Sequence, residues 1–462
     1  MRKRLLWRRS ATALGIYGST ALGILGSIVV LRILGPTSAG RFSLAVGTAA
    51  FFQLLLELTG DEALVKYGFR YAAQEDWGRF HRLVRLTFGL EAAAGLFATL
   101  IVLLLAPFAD ALFNTTGMVE PMLIAAFLPP LQAAESMGAA MLILRGRYDV
   151  RGGLLTFSTG VRLIAIVIAA PHGVNATVLG IVVAQLVTSI CVVAVGLSAL
   201  RRFPRVAPGE LGDDRSPVLR FVLQSSIGTG IASLRGWLAP LALGIVQNPT
   251  QVGYFRAAQA PQQGFGALSS PVRLILLTEQ TRDWEQGRPE VVWEGVRRYL
   301  RGATALMLVA LVPLELAMGW LVRFFLGDQY SPAIPAARIV LIAAAIQVVF
   351  GWTKSFPVSI GRPGLRIVAF GVEAVVMLPL ILVFGSLWGV TGAAAAVVVS
   401  SVAYAATWIV ILVRLRRGPA DALRRRDHGR LHRNRRQRGW VQRHCVDQRC
   451  VVNGAGKKIE RV

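Results

Sequence analysis

Cysteine is nearly absent from this chain of 462 residues, with three in all, and histidine is scarce, with five. Cys191 lies inside an apolar run while Cys445 and Cys450 fall near the C-terminus, so neither a disulfide framework nor a zinc cluster can be assembled from them. His428, His432 and His444 crowd the same C-terminal stretch, which leaves His81 and His172 for the body. Metal-centred catalysis lacks its ligands, and no metal site is expected. A phosphate-binding loop with its lysine, a nucleophile elbow and a zinc-binding His pair on a helix are all missing. The chain is therefore not expected to be an enzyme, to use ATP directly or to carry a cofactor. Lysine is also rare, at positions 3, 66, 354, 457 and 458, and with abundant Ala and Gly this suggests a GC-rich bacterial genome.

Acidic residues number 25 against 50 Lys+Arg, an excess that would suit a nucleic-acid binder in a polar chain. This chain is 54% hydrophobic and 16% charged, with a mean hydropathy of +0.55. Apolar stretches of about 20 residues recur along it, each enough to cross a hydrocarbon core. The sequence is that of a polytopic membrane protein, with membrane lipids rather than nucleic acid as surroundings. The basic N-terminus (Arg2, Lys3, Arg4, Arg8, Arg9) precedes an apolar segment running to Ile33, too long for a signal peptide and without a cleavage site. It is expected to be the first membrane-spanning helix.

Twelve spans are expected, near 10–33, 42–59, 84–107, 118–143, 151–171, 174–199, 218–246, 257–277, 302–325, 333–353, 364–385 and 388–414. The runs lack the alternation of an outer-membrane barrel, so the fold class is all-α. Connections alternate in charge. One set carries the N-terminal cluster, then Lys66, Arg70, Arg79 and Arg82, then Arg145, Arg147 and Arg151, and so on to Arg414, Arg416 and Arg417. The other set holds only Arg41 and Arg256 as clear basic residues. By the positive-inside rule both termini are cytoplasmic. External loops are short, the longest near 108–117, so any substrate is handled within the membrane or at its edges. The connections 60–83 and 278–301 mix charge with aromatic residues, as helices lying at the interface do.

The sequence also repeats itself. Pro36-Thr37-Ser38-Ala39-Gly40-Arg41-Phe42 matches Pro249-Thr250-Gln251-Val252-Gly253-Tyr254-Phe255 at an offset of 213. At the same offset the small-residue face Thr12, Gly15, Ser19, Gly23 and Gly26 matches Ser225, Gly228, Ala232, Gly236 and Ala239. Such faces let helices approach closely in lipid. An offset of 216 then pairs Trp77 with Trp293 and Gly173-Val174 with Gly389-Val390. Six helices per copy make the repeats parallel, which predicts two six-helix lobes, 10–199 and 218–414, around a central cavity. A basic N-terminus (1–9), a cytoplasmic linker (200–217) and a basic, disordered cytoplasmic tail (415–462) complete the expected domain plan.

Leu31-Arg32-Ile33-Leu34-Gly35-Pro36 with Gly40-Arg41-Phe42-Ser43-Leu44-Ala45, followed by Gly60 and Ala63-Leu64-Val65-Lys66-Tyr67, resembles the opening of the polysaccharide-biosynthesis flippases. These belong to the multidrug/oligosaccharidyl-lipid/polysaccharide exporter superfamily, and the resemblance covers about 10–414. It implies translocation of a polyprenyl-pyrophosphate-linked oligosaccharide from the inner to the outer leaflet of a bacterial cytoplasmic membrane. It also implies glycosyltransferases and a glycan polymerase of one pathway as partners. A drug/cation antiporter of the same superfamily is the nearer alternative. A membrane polymerase or glycosyltransferase is the more distant one, since no large external loop carries clustered acids and Arg.

Ionisable and polar groups inside spans are the site candidates. Gln259, Gln262, Gln263, Gly266, Ser269, Ser270 and Arg273 recur at helical spacing and give the eighth helix a polar stripe. Arg235 in the seventh helix, Arg256 in the turn before the eighth, and Arg273 are placed to converge on the cavity, where a guanidinium fork suits a pyrophosphate. Arg41 is the first lobe's candidate. For ion coupling the candidates are Glu57, Asp61 and Glu135, the last just after Pro129-Pro130, a pair that frees backbone carbonyls in mid-helix. Glu91, Glu315 and Glu373 are further acids within spans. Residues 416–462 hold 15 Lys+Arg and four acids without apolar periodicity. They read either as a lipid-attracted polybasic segment or as a weakly constrained, frame-shifted extension.

Overall fold

The computed structural model describes residues 2–56, 58, 60–265, 279–280, 283–284, 286, 288–360, 362 and 364–417, without the side chains of 2–13, 227–229, 231–235, 358, 416 and 417. Met1–Ala405 form one unit and Ala406–Val462 a second, of which 406–417 are described and helical. The predicted tail thus lies almost wholly outside the described residues.

Fourteen helices carry the chain among the described residues. They are α1 (Arg2–Leu56), α2 (Gly60–Ala73), α3 (Trp77–Leu105), α4 (Ala109–Leu112), α5 (Val119–Ala125), α6 (Leu128–Leu144) and α7 (Tyr148–Ala169). They continue as α8 (Val174–Leu200), α9 (Arg215–Val246), α10 (Pro249–Ala258), α11 (Pro289–Leu326), α12 (Ile334–Val349), α13 (Phe356–Ser359) and α14 (Gly364–Arg417). Among the described residues eight helical stretches are long and apolar enough to cross a membrane. Two of the eight are pairs of spans joined at a glycine, and α9 is long enough to cross as well; the later part of the expected span 257–277 lies outside the described residues. The architecture is that of two parallel six-helix repeats.

The first pair departs from expectation in that 10–33 and 42–59 are not separated by a loop. Two helices meet directly across a kink at Gly35 (φ 73, ψ 172), whose own backbone is not helical. Pro36 disfavours α conformation in the residue before it, and only glycine takes up that positive φ without strain. Gly389 (φ 56, ψ −133) bends α14 in the same way. There the freed Val390 amide donates to Gln251 Oε1 at 2.9 Å. Gly173 (φ 99) precedes α8, so the Gly-Val pairs matched at offset 216 open the last helix of each half. The interfacial segment expected at 278–301 is also revised. From Pro289 onward it is continuous with the ninth span as α11, because nothing between 289 and 302 stops a helix.

The fourth span breaks where Pro129-Pro130 predict. Pro130 has no N–H for the Ala126 carbonyl, and Thr99 Oγ1 on α3 donates to it instead at 2.8 Å. Thr99→Val leaves that carbonyl buried and unpaired, at a cost of about 1–3 kcal/mol. A lower midpoint in thermal unfolding of the purified variant is the expected reading; an unchanged midpoint would show that the carbonyl finds another donor. Beyond the break, α6 and α8 cross closely, since a Cβ on Gly196 would stand 2.6 Å from Gly138 O. Likewise Gly15 on α1 meets α7, where its added Cβ would lie 2.5 Å from Gly152 O and where Thr156 Oγ1 donates to Gly15 O at 2.9 Å.

The end of the bundle nearest the N-terminus is held by a second core of Leu64, Tyr67, Tyr71, Phe80, Met141 and neighbours. The linker docks there rather than hanging free. Phe203 packs on Phe80 at 4.9 Å, Pro204 O meets His81 Nε2 at 2.8 Å, and Asp214 accepts from Tyr71 Oη at 3.1 Å. Arg70 and Arg79 each lie 3.6 Å from the Asp214 carboxylate. Across to the second half, Ser225 donates to Glu62 and the Lys66 ammonium sits 4.0 Å over the Phe221 ring.

Candidate functional site: a cavity between the halves

At the far end, away from the N-terminus, the two halves meet in a seam built from the repeated motif. An added Cβ on Gly40 would stand 1.7 Å from Pro249 O, and one on Gly253 would stand 1.9 Å from Pro36 O. Between them the hydroxyls of Thr37 and Thr250 lie 2.8 Å apart. Tyr330 Oη donates to Leu31 O at 2.7 Å, Gln329 Nε2 to Arg32 O at 3.1 Å and Asn114 Nδ2 to Ile245 O at 2.9 Å. Arg32 and Ile245 each stand four residues before a proline, Pro36 and Pro249, so their carbonyls have no backbone donor and the side-chain amides supply one.

Below that seam lies a cavity of about 1190 Å³. Its walls are mostly apolar: Leu22, Ile24, Leu25 and Ile28 of α1 face Leu314, Met318, Leu321 and Phe325 of α11. Gln53, Gln132, Thr159 and Gln263 add polar groups. Two charged residues line it among the described residues, Arg162 from α7 in the first half and Arg256 from α10 in the second. No described lining residue is acidic. The Arg256 guanidinium lies 4.2 Å over the Trp237 ring, a stack that holds the fork while leaving its edge for an acceptor. Arg162 is partly buried, and one Nη donates to Gln185 Oε1 at 2.6 Å. A smaller void of about 20 Å³, room for a single water, shares Gln53 and Gln132 with the cavity and reaches Glu91 and Ser136. Glu91 Oε1 accepts from the Gly60 amide at 2.9 Å and so caps α2.

The sequence candidates divide accordingly. Arg256 and Gln263 line the cavity, though Arg256 lies inside α10 rather than in a turn. Asn248 caps that helix by accepting from the Gln251 amide at 3.2 Å and Pro249 starts it, so it begins earlier than expected. Gln259 is buried but off the cavity wall, and Gln262 donates to Gln347 at 2.8 Å. Arg41 lies away from the cavity near Gly117, its Nε buried without a hydrogen-bond partner. Glu135 accepts from Gln185, while Asp61 accepts from the neighbouring Glu62 amide at 2.8 Å. The Arg235 side chain, Arg273, Ser269, Ser270 and Glu57 lie outside the described residues. Sequence reasoning missed Arg162. The signal was available, since a lone arginine in the middle of an apolar span is itself a flag.

Two parallel helical repeats with a cavity between them, sealed at one end and bearing a cation from each half, are the architecture of a membrane transporter. The sequence profile described as polysaccharide biosynthesis protein matches residues 29–335, more than half of the chain, and the chain belongs to that family. No curated protein sequence matches it. Among solved structures it is similar to a multidrug resistance MATE family transporter of the MOP superfamily in its inward-facing conformation. That match has a TM-score of 0.69 and 16% identity, over 86% of this chain and 94% of that one. The lipid II flippase MurJ in an inward closed conformation matches at 0.69 with 11% identity, over 87% of each chain. A Vibrio cholerae MATE transporter, VcmN, in the bent form matches at 0.57 with 14% identity, over 88% of this chain and 98% of that one. At these identities the likeness is one of fold.

Proposed function

We infer that the protein is a flippase that carries a polyprenyl-pyrophosphate-linked oligosaccharide from the inner to the outer leaflet of a bacterial cytoplasmic membrane. One observation carries this reading: a large apolar cavity whose two described charged lining residues are arginines, one contributed by each half. Apolar walls suit an isoprenoid, and a pair of guanidinium forks suits a diphosphate. Arg235 and Arg273, from the same sequence region as Arg256, are further candidates for that role. A drug/cation antiporter would need carboxylates to receive a cationic substrate, and the described cavity wall offers none. With basic connections and both termini in the cytoplasm, the sealed seam faces outward and substrate loads from the cytoplasmic side.

Alternating access then consists of opening the seam while the lobes 10–199 and 218–414 close at their cytoplasmic ends. An ion gradient drives it, with Glu135, Asp61 and Glu57 as candidate carboxylates. Glycosyltransferases supply the substrate and a polymerase consumes it. The decisive experiment follows leaflet accessibility of a fluorescent polyprenyl-pyrophosphate-linked oligosaccharide in vesicles containing the purified protein. Protein-dependent transfer is expected; extrusion of a cationic dye without lipid transfer would replace this reading by the antiporter. Removal of residues 424–462 is expected to leave transfer unchanged, measured in the same vesicles.

A further inference from the structure

Arg162 on α7 and Glu135 on α6 do not form an ion pair. Gln185 on α8 stands between them, 1% exposed, with Oε1 accepting from Arg162 at 2.6 Å and Nε2 donating to Glu135 and to Ser189 Oγ, the latter at 3.1 Å. Ser189 is fixed in turn by donating to Leu131 O at 2.7 Å. The amide is thus held with its oxygen toward the cation and its nitrogen toward the anion, and Arg162 keeps N–H groups to spare, its buried Nε having no partner. In a low-dielectric wall a direct Arg–Glu contact is strongly favoured once both charges are desolvated. Such a contact would turn the guanidinium away from the cavity and cancel its charge.

We propose that Gln185 is a positioning residue that keeps Arg162 and Glu135 out of direct contact, so that Arg162 presents free guanidinium N–H groups to an anionic ligand in the cavity. This rests on the pyrophosphate reading for the ligand but not for the separation itself. Without the amide, Arg162 closes on Glu135 and withdraws. Removing Glu135 as well leaves the arginine nothing to close on, and its availability returns. A residue that only filled space would show no such recovery.

Two readouts on the full chain in lipid nanodiscs test this. The first is the rate at which phenylglyoxal modifies Arg162, followed by peptide mass spectrometry. The second is binding of geranylgeranyl pyrophosphate. Gln185→Ala is expected to slow modification and weaken binding about tenfold, and Gln185→Ala with Glu135→Ala to restore both to within about threefold of the parent. Gln185→Met keeps the volume without the amide and is expected to behave as the alanine variant does, which separates positioning from a folding defect. Equal modification rates in all variants, or a double variant no better than the single one, would overturn the proposal. If Arg162 modification follows the expected pattern while the parent protein fails to bind the pyrophosphate probe, the positioning stands and the choice of ligand falls.

Discussion

Joining the far ends of the two halves by a disulfide is expected to stop transport outright, and reduction to restore it. Thr37 and Thr250 are the positions, because their hydroxyl oxygens already lie 2.8 Å apart. With Cys191, Cys445 and Cys450 replaced by Ser, the pair Thr37→Cys and Thr250→Cys should oxidise readily and lock the seam. The opposite trap uses the adjoining glycines. A methyl group on Gly40 or Gly253 would sit 1.7 Å or 1.9 Å from a proline carbonyl of the other half, far inside contact distance. Overpacking of this kind costs about 1–3 kcal/mol or more, paid only when the seam is shut, so it moves the equilibrium about 10- to 100-fold toward the open form. In Gly40→Ala or Gly253→Ala, a lone Thr37→Cys should react faster with a membrane-impermeant maleimide added from outside. Transport that persists through full cross-linking would mean that the seam does not open in the cycle.

The second large effect is expected at the cavity arginines. Arg162→Ala or Arg256→Ala should each lower export of the cell-surface glycan about 10- to 100-fold, the worth of one or two charge-assisted hydrogen bonds, and the double variant should abolish it. Membrane levels measured by immunoblotting must stay at parent values for the result to count. Arg256→Lys is expected to recover little, because an ammonium neither stacks on Trp237 as a plane nor offers the paired fork. Parent-level export in both single variants would remove these residues from the substrate path.

Much of this was legible in the residues themselves. The Gly173 and Gly389 helix entrances and the Pro129-Pro130 break each rest on backbone chemistry local to the sequence, and each appears where the residue types require it, whereas the direct junction at Gly35-Pro36 was not anticipated. The match between Pro36–Phe42 and Pro249–Phe255 was equally visible. What it could not reveal is that the two copies touch one another, because that depends on how the halves are set about their common axis. Arg162 escaped for a related reason. A lone arginine makes no stripe, and Arg162 is 23 residues from Gln185, which is itself 50 residues from Glu135, so only the folded chain assembles the three. Glu91 stood in the sequence only as a further acid within a span, and the fold uses it to cap α2 through the Gly60 amide.

The seam has one more implication. Gly40 receives Pro249 while Gly253 receives Pro36, and Thr37 meets its own counterpart, so each side supplies both the ridge and the notch. That is the geometry of an isologous twofold contact, here contained in one polypeptide. A single six-helix half would present a self-complementary surface, and two separate copies would meet through the same three residues. Fusion of such copies inherits a working closure from the first generation, and a bulky replacement at one glycine cannot be relieved by change at the other, because each fills a different notch.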